Sequence, residues 1–524
     1  MSGRGRLLTL CLVLVAGLVT ACTGDGDGTH DRVRLRVLAS PELAVLAPLL
    51  GELKKATGVE LDLDLRATAE SARLPSAHAG HDLAWLSSDR YLRLRDKRST
   101  QRVQRTPTMT SPVVVGLAPQ VARTLRANVP GGRLTWADIA DAAATGAVRF
   151  GMADPRHAGS GLAALVGVAT AAANTGEVLR TKDVSCDRLR GFRSGQSLTA
   201  GTSPDLVDAY ADHQDQANAL IAYESDLLAL NASGRLRHKL EIVRPQDGTV
   251  LSDFPLLLLD PSRRDAYDRV ARWLRSDPAQ EKIMRLTLRR PVSPTVTRDA
   301  PLRAAIGNAL YFPDELPVID SLLTDYGDPG HRTGDQVVFL LDFSGSMRGA
   351  RMAALREAFA GLSGADSSAT GKFTRFYRGE RLTIVRFGGR VLQQRTVTVT
   401  GPEDLDALAD TVARGGYGDA TAVWSALDRG YRTAAGAVAA IPGRPVSLVL
   451  MTDGENNAGL TYAEFVRRYE ALPAPARAVR TYPVHFGDAD ATALRRVAAK
   501  TGGRMVDAED SSLSEAFKEI RGCH

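Results

Sequence analysis

The stretch QVVFLLDFSGSM, residues 336–347, decides the fold of the C-terminal part of the chain. Its first half is too apolar to be anything but a buried strand, and its second half places one carboxylate and two hydroxyls on a tight loop. Ligands of open α/β sheets bind at the carboxyl edge of the strands. Asp342, Ser344 and Ser346 therefore predict a site of hard oxygen donors, suited to Mg²⁺, Mn²⁺ or Ca²⁺ rather than to zinc or copper.

Two later stretches supply further oxygen donors. The segment GGYGDAT, residues 415–421, opens a helix and contributes the hydroxyl of Thr421. The apolar strand of residues 446–451 runs into Thr452 and Asp453, which adds a second carboxylate. Beyond the first stretch, strand and helix patterns alternate, which predicts a doubly wound, mostly parallel sheet. The pattern includes helices over 352–362 and 421–434 and an edge strand over 396–399.

Taken together, these motifs resemble a von Willebrand factor type A domain with a complete metal-ion-dependent adhesion site. The resemblance covers about residues 334–522 and implies a Rossmann-like domain over 335–524. It implies that one divalent cation, with Mg²⁺ expected, is bound by five residues: Asp342, Ser344, Ser346, Thr421 and Asp453. In this family one coordination position stays open, so the resemblance also implies a protein partner that offers an Asp or Glu to the metal.

The N-terminus has the features of an export signal. Arg4 and Arg6 precede an apolar run, residues 7–19, that has the length of a signal h-region and is too short to span a membrane. The run ends in VTAC, residues 19–22, which resembles a bacterial lipobox and implies cleavage before Cys22 and lipidation of that cysteine, palmitate included. A plain signal peptide with a chance cysteine is the alternative. We expect a signal peptide over 1–21, a polar tether over 22–31, and a lipid anchor on the extracytoplasmic face of the cell membrane.

Residues 32–322 form a second α/β unit. A strand over 34–40, a helix over 43–56 and a strand over 59–63 make a β-α-β opening, which predicts a parallel sheet. The order of the later stretches, including a crossing segment over 111–117, resembles an extracellular solute-binding protein of the type II periplasmic class. That resemblance implies two α/β lobes with a ligand cleft between them, and it is closest to the molybdate- and phosphate-binding branch.

Polar residues at predicted strand ends and helix starts are the candidates for this cleft: Ser40, Ser87, Ser160, Gly161, Tyr223 and Glu224. Ser160 and Gly161 lie at a predicted helix N-terminus, where free N–H groups favour an anion. A plain helix cap for Ser160 and a core position for Tyr223 are the alternatives. Glu224 argues against a bare oxyanion and leaves room for a cationic or polar solute.

The remaining features limit the choice of function. Residues 323–334 are dense in Gly, Pro and Asp and predict a linker. Removal of Arg4 and Arg6 lowers the formal net charge from +6 to +4, too little to indicate a nucleic-acid partner. The chain contains no nucleophile elbow, zinc-protease motif or phosphate-binding loop, and a histidine such as His485 in a strand is interpreted as a core residue, so we expect no enzyme.

Two functions of different classes remain. The first is a cell-surface binding module that grips a protein partner through the metal. The second is a receptor of the ABC-transporter type for a small anion or polar solute, with the C-terminal domain as a docking accessory.

Cys186 and Cys523 remain after Cys11 and Cys22 are assigned to the signal and the lipid. They either form one disulfide or stay as two free thiols.

Overall fold

The computed structural model describes residues 33–66, 80–96, 103–184, 188–328, 334–508 and 512–523. The strands of the N-terminal domain are β1 (Val33–Ala39), β2 (Val59–Leu65), β3 (Leu83–Trp85), β4 (Arg105–Pro107), β5 (Ser111–Leu117), β6 (Phe150–Met152), β7 (Gln196–Leu198), β8 (Ala219–Tyr223), β9 (Glu241–Val243), β10 (Leu251–Ser252) and β11 (Pro255–Leu258). Its α-helices are α1 (Ala47–Thr57), α2 (Arg90–Arg95), α3 (Pro119–Asn128), α4 (Trp136–Ala144), α5 (Gly159–Ala173), α6 (Arg190–Ser194), α7 (Ser203–Asp212), α8 (Glu224–Ala232), α9 (Arg264–Arg275), α10 (Asp277–Thr287) and α11 (Leu316–Gly327).

These strands form two sheets, and each sheet is the centre of one lobe. Lobe 1 has the strand order β2-β1-β3-β11-β4, and lobe 2 has the order β10-β5-β8-β6-β7 with β9 beside β5. The chain passes between the lobes before β5 and again after β10. The β-α-β opening is confirmed, because β1 pairs in parallel with both β2 and β3.

Two local predictions differ from the structure. The helix predicted over 43–56 begins as a 3₁₀ turn, Pro41–Leu46, before α1 starts at Ala47. Residues 111–117, predicted as a crossing segment, are the strand β5 inside lobe 2, where every residue is buried and pairs with β8, β9 or β10. The crossing itself is the short piece that precedes this strand.

The C-terminal domain is built on one six-stranded sheet. Its strands are β12 (Gln336–Asp342), β13 (Arg381–Phe387), β14 (Val391–Thr398), β15 (Val446–Thr452), β16 (Arg480–His485) and β17 (Val506–Asp507). Its helices are α12 (Ala350–Ala360), α13 (Ala369–Thr374), α14 (Pro402–Ala413), α15 (Val423–Ala440), α16 (Tyr462–Glu470), α17 (Ala474–Arg477), α18 (Ala491–Lys500) and α19 (Leu513–Cys523). The order β14-β13-β12-β15-β16-β17, parallel except for β14, confirms the predicted doubly wound α/β class.

Strand β12 lies between β13 and β15 and packs on both of its faces. Val337, Phe339 and Leu341 belong to the apolar cluster on one face, whereas Val338 and Leu340 belong to the cluster on the other. This period of two is what a continuous apolar run produces in a central strand. The strand is therefore held from all sides up to Asp342, and the loop that follows it starts from a fixed point.

The two domains dock through α13, a helix that the sequence pattern did not predict. Phe373 joins the apolar core of the N-terminal domain. Lys372 and Arg375 form ion pairs with Asp138 and Asp141 of α4, at 2.6 Å and 2.5 Å. Helix α11 continues to Gly327, within the residues predicted as a linker. The domains thus share an interface in addition to their covalent connection.

Candidate functional site

The loop after β12 is held by the carboxylate of Asp342. One oxygen, Oδ1, accepts a hydrogen bond from the backbone N–H of Ser344 at 2.7 Å, and the other, Oδ2, accepts one from the hydroxyl of Thr452 at 2.6 Å. Asp342 is fully buried. Its carboxylate therefore fixes the loop to the neighbouring strand β15, and it contributes negative charge beneath the hydroxyls rather than an exposed ligand atom.

The two serine hydroxyls lead from this loop to the second carboxylate. Ser344 Oγ lies 2.9 Å from Ser346 Oγ, and Ser346 Oγ donates to Asp453 Oδ1 at 2.9 Å. Asp453 is 1% exposed, whereas Ser346 is exposed. The Ser346 hydroxyl thus lies between the buried Asp453 carboxylate and the solvent.

Thr421 approaches the same point from a third loop. Its backbone N–H donates to Asn457 Oδ1 at 2.8 Å, which joins this loop to the one that follows β15. The first loop is joined as well, because Gly418 N–H donates to the carbonyl of Phe343 at 2.8 Å. A Cβ placed on Gly454 would lie 3.6 Å from Thr421 Oγ1 and 4.0 Å from Ser346 Oγ, so these two hydroxyls flank the same glycine. The structure therefore brings all five predicted residues together.

A cationic side chain that the sequence motif did not indicate completes this site. Arg351, in the first turn of α12, donates to Asp453 Oδ2 at 2.6 Å and to Asp488 Oδ2 at 2.9 Å. Of the two aspartates among the five predicted residues, this guanidinium is paired with Asp453. Among the described residues, no cationic side chain is paired with Asp342. Burial raises its pKa to about 6, with the nearby Asp453 adding to the rise and the Thr452 and Ser344 hydrogen bonds opposing it.

The residues present fit a hard divalent cation. Carboxylate and hydroxyl oxygens are the donors that Mg²⁺ takes in proteins, usually together with several waters. Among the described residues, no group of three or more His, Cys, Asp and Glu side chains could hold a metal ion, so a metal at this edge needs the hydroxyls. The sequence motif predicted these donors because each follows a recognisable element. No motif marks Arg351, whose contact with Asp453 depends on how α12 is placed beside the loop.

The predicted cleft residues lie between the lobes of the N-terminal domain. Ser40 Oγ accepts a hydrogen bond from the backbone N–H of Ser87 at 2.9 Å, and both side chains are fully buried. Ser160 Oγ lies 2.5 Å from Ser203 Oγ at the start of α7. A side chain on Gly161 would clash with the carbonyl of Ala153, so this glycine serves close packing.

Tyr223 and Glu224 differ from each other in their surroundings. Tyr223 is fully buried, and a Cβ on Gly159 would clash with the Ser87 hydroxyl and lie 3.1 Å from the Tyr223 hydroxyl. The Ser87 and Tyr223 hydroxyls therefore come from different lobes to one point. Glu224 instead accepts hydrogen bonds from Arg290 at 2.7 Å and 2.9 Å, and from Arg244 at 2.7 Å. Two arginines thus occupy its carboxylate, which leaves it a structural residue.

Sequence reasoning missed several polar residues at the same boundary. Glu42 accepts a hydrogen bond from Ser203 at 3.1 Å, which joins lobe 1 to lobe 2. Arg289 donates to the carbonyl of Glu42 at 2.7 Å and lies over the ring of Phe254, 4.1 Å from its centroid. Glu42 follows β1 by only three positions, so the strand-end rule that selected Ser40 could have found it. Arg289 lies far along the chain and has no such signal.

Several predictions lie outside the described residues. The signal sequence, the lipidation of Cys22 and the thiol of Cys186 belong to unplaced residues, and nothing is described of the Cys523 side chain. Within the described ranges, none of the helices has both the length and the apolar character that a membrane crossing requires.

Comparisons with known proteins identify two families along the chain. The model of the bacterial extracellular solute-binding protein family matches residues 35–285, and that of the von Willebrand factor type A domain matches residues 336–520. No curated protein matches the chain.

Solved structures that resemble parts of the chain do so at low sequence identity. The fructose-6-phosphate-bound periplasmic binding protein AfuA from Actinobacillus pleuropneumoniae is 13% identical, with 57% of this chain and 98% of that chain covered and a TM-score of 0.44. Iron-bound HitA from Pseudomonas aeruginosa is 14% identical, with 56% and 99% covered and a TM-score of 0.43. A von Willebrand factor type A protein from Catenulispora acidiphila is 19% identical, with 36% and 42% covered and a TM-score of 0.28. On the two family models, the chain joins a bacterial extracellular solute-binding domain to a C-terminal von Willebrand factor type A domain.

Proposed function

We propose that this protein is a cell-surface binding module that grips a protein partner through a divalent cation, with Mg²⁺ expected. The observation that carries the proposal is the convergence of three loops. Ser346 Oγ lies 2.9 Å from both Ser344 Oγ and Asp453 Oδ1, and Thr421 Oγ1 of the third loop flanks Gly454 together with Ser346 Oγ. A bound cation supplies an electrophilic position that accepts an Asp or Glu carboxylate of the partner. Both families consist typically of binding modules, which agrees with a role in which the chain catalyses nothing.

The chain's own residues divide the work in this proposal. The Ser344, Ser346 and Thr421 hydroxyls supply neutral ligand atoms, so the site keeps little excess negative charge. Asp342 accepts hydrogen bonds from the Ser344 backbone N–H and the Thr452 hydroxyl, and Asp453 accepts one from the Ser346 hydroxyl, so the two aspartates fix the loop that carries both serines. Because Ser346 is exposed, an incoming carboxylate can reach the site from solvent. The experiment that tests the proposal is partner capture with Mg²⁺ or with a chelator.

Arg351 should reduce the affinity of the site for a cation. Its guanidinium is bound to Asp453, and two positive charges near one carboxylate repel each other. We expect Arg351→Ala to strengthen Mg²⁺ binding about three- to tenfold, since the side chain is partly exposed and its charge is screened. Isothermal titration calorimetry measures this change.

The matched control is Arg356→Ala on the same helix. Arg356 donates to the carbonyl of Ala413 and contacts none of the five ligands, so Mg²⁺ affinity should stay as in the wild type. Weaker Mg²⁺ binding in Arg351→Ala would show that the guanidinium holds Asp453 in position rather than competing with the cation.

We also propose that the protein is anchored by a lipid on Cys22, outside the cytoplasm. The lipobox-like sequence before this residue supports the proposal. Cys22→Ser should leave the precursor unprocessed or release the protein from membranes, which fractionation and immunoblotting can measure. Cys11→Ser, inside the signal segment, should leave anchoring unchanged. Normal membrane retention of the Cys22→Ser variant would contradict the lipid anchor.

We propose a second role for the N-terminal domain. In this role it is a receptor that binds a small solute and delivers it to a transporter. The observation in its favour is the meeting of polar side chains from both lobes, with Ser203 bound to Glu42 and the Ser87 and Tyr223 hydroxyls beside Gly159. Small-molecule sites occur preferentially at interfaces of this kind. In this role the C-terminal domain serves as the docking accessory.

A further inference from the structure

The boundary between the lobes contains buried polar atoms that no other part of the structure satisfies. Among the described residues, Glu42 Oε2, Asp226 Oδ2 and Arg289 Nε have no hydrogen-bond partner. Glu42 is 6% exposed and Arg289 is 2% exposed. Asp226 lies in the first turn of α8, and its Oδ2 atom is enclosed although the residue is partly exposed. Buried groups of this kind are normally paired, so these atoms point to a missing partner.

Acidic groups outnumber the basic group at this boundary. Glu42 and Asp226 contribute two carboxylates, and Arg289 is the cation that interacts with both. Most of the guanidinium is already engaged, since it donates to the carbonyl of Glu42, lies 3.6 Å from Met109 Sδ and covers the ring of Phe254. Glu224, the neighbouring acid, is neutralised by Arg290 and Arg244 and does not alter this balance.

The two acids are short of positive charge. Burial raises the pKa of Glu42, and burial raises the pKa of Asp226 to about 7, with Arg289 opposing both rises. The Glu42 carboxylate adds to the rise at Asp226. An oxyanion placed here would meet two carboxylates, whereas a group that donates N–H and carries a positive charge would satisfy their free oxygens.

We propose that this boundary binds a small solute with a protonated amine, whose N–H groups donate to Glu42 Oε2 and Asp226 Oδ2. The inference rests on the proposed receptor role of the N-terminal domain and specifies its ligand class. The hydroxyls of Ser87 and Tyr223 meet at the same boundary and supply neutral hydrogen-bonding partners for the rest of the solute. Ser203 of lobe 2 is hydrogen-bonded to Glu42 of lobe 1, so both lobes contribute to this site.

The test is calorimetry and thermal denaturation of the mature full-length protein with two amines, ethanolamine and putrescine, and two oxyanions, molybdate and phosphate. We expect an amine to bind and raise the Tm, and the oxyanions to have no effect. Glu42→Gln keeps the shape of the side chain but removes its charge, and should weaken amine binding about tenfold or more. Glu52→Gln, an exposed acid on α1 paired with Lys282, is the control and should bind as the wild type does.

The alternative outcomes separate the inference from the role on which it rests. Binding of an oxyanion, or amine binding that Glu42→Gln leaves unchanged, would overturn the assignment of an amine site while leaving a receptor in place. Absence of binding by all four compounds to a folded protein would overturn both the assignment and the receptor role. Circular dichroism of each variant establishes that the protein is folded.

Discussion

Asp342→Ala is expected to weaken Mg²⁺ binding by about 100-fold, because groups that orient metal ligands typically contribute 10–100-fold to affinity. The carboxylate fixes Ser344 through its backbone N–H and connects the loop to Thr452, so its loss frees the hydroxyls as well as removing a negative charge. The fold should survive, since Asp342 is the last residue of β12 and lies at the carboxyl end of the strand. Calorimetry with Mg²⁺ measures the affinity, and circular dichroism measures the fold.

Two further variants make this result specific. Asp488→Ala removes an exposed carboxylate that contacts Arg351 alone, and it should leave Mg²⁺ affinity within a factor of about three of wild type. Thr421→Ala removes a neutral ligand atom and no charge, so its effect should be milder, about tenfold. Equal Mg²⁺ affinity in Asp342→Ala and wild type would show that these five residues do not form the metal site.

Glu224→Ala is expected to destabilise the N-terminal domain by roughly 3–5 kcal/mol, the range for removal of one partner from a buried ion pair. The substitution leaves Arg290, whose side chain is 3% exposed, and Arg244, at 16%, without their shared carboxylate. Urea denaturation followed by tryptophan fluorescence measures the free energy of unfolding, because Trp85 and Trp136 are buried in this domain.

The control for this prediction is Glu241→Ala in the same lobe. Glu241 pairs with Arg126 at the surface, where both side chains are partly exposed, so its loss should cost less than about 1 kcal/mol. If Glu224→Ala had full stability but bound an added solute more weakly, Glu224 would be a ligand residue rather than a structural one.

The metal site was predictable from the sequence because its residues follow elements with strong local patterns. A continuous apolar run ending in Asp342 predicts a central parallel strand, and the carboxyl ends of parallel strands meet at one edge. Thr421 and Asp453 follow a helix start and a second apolar strand, so topology alone brings them to the first loop. Arg351 could not be predicted in the same way, because an arginine in the first turn of a helix has many accessible partners.

The cleft shows the opposite case. Ser40 and Glu224 were both selected as candidates because they lie at strand ends. Ser40 accepts a hydrogen bond from the loop at Ser87, whereas Glu224 is bound by two arginines. Arg244 and Arg290 lie 20 and 66 residues from Glu224 along the chain, so no local pattern reveals the ion pairs. The docking helix α13 escaped prediction for a related reason, since its six residues are stabilised by contacts with the other domain.

The most direct test of metal-dependent partner binding is capture from detergent-solubilised membranes with the full-length protein immobilised, in Mg²⁺ and in chelator, beside the Asp342→Ala variant. We predict that the wild type retains a partner in Mg²⁺, that chelator releases it, and that Asp342→Ala retains none under either condition. A partner retained equally in Mg²⁺ and in chelator, or equally by both proteins, would contradict binding through the metal.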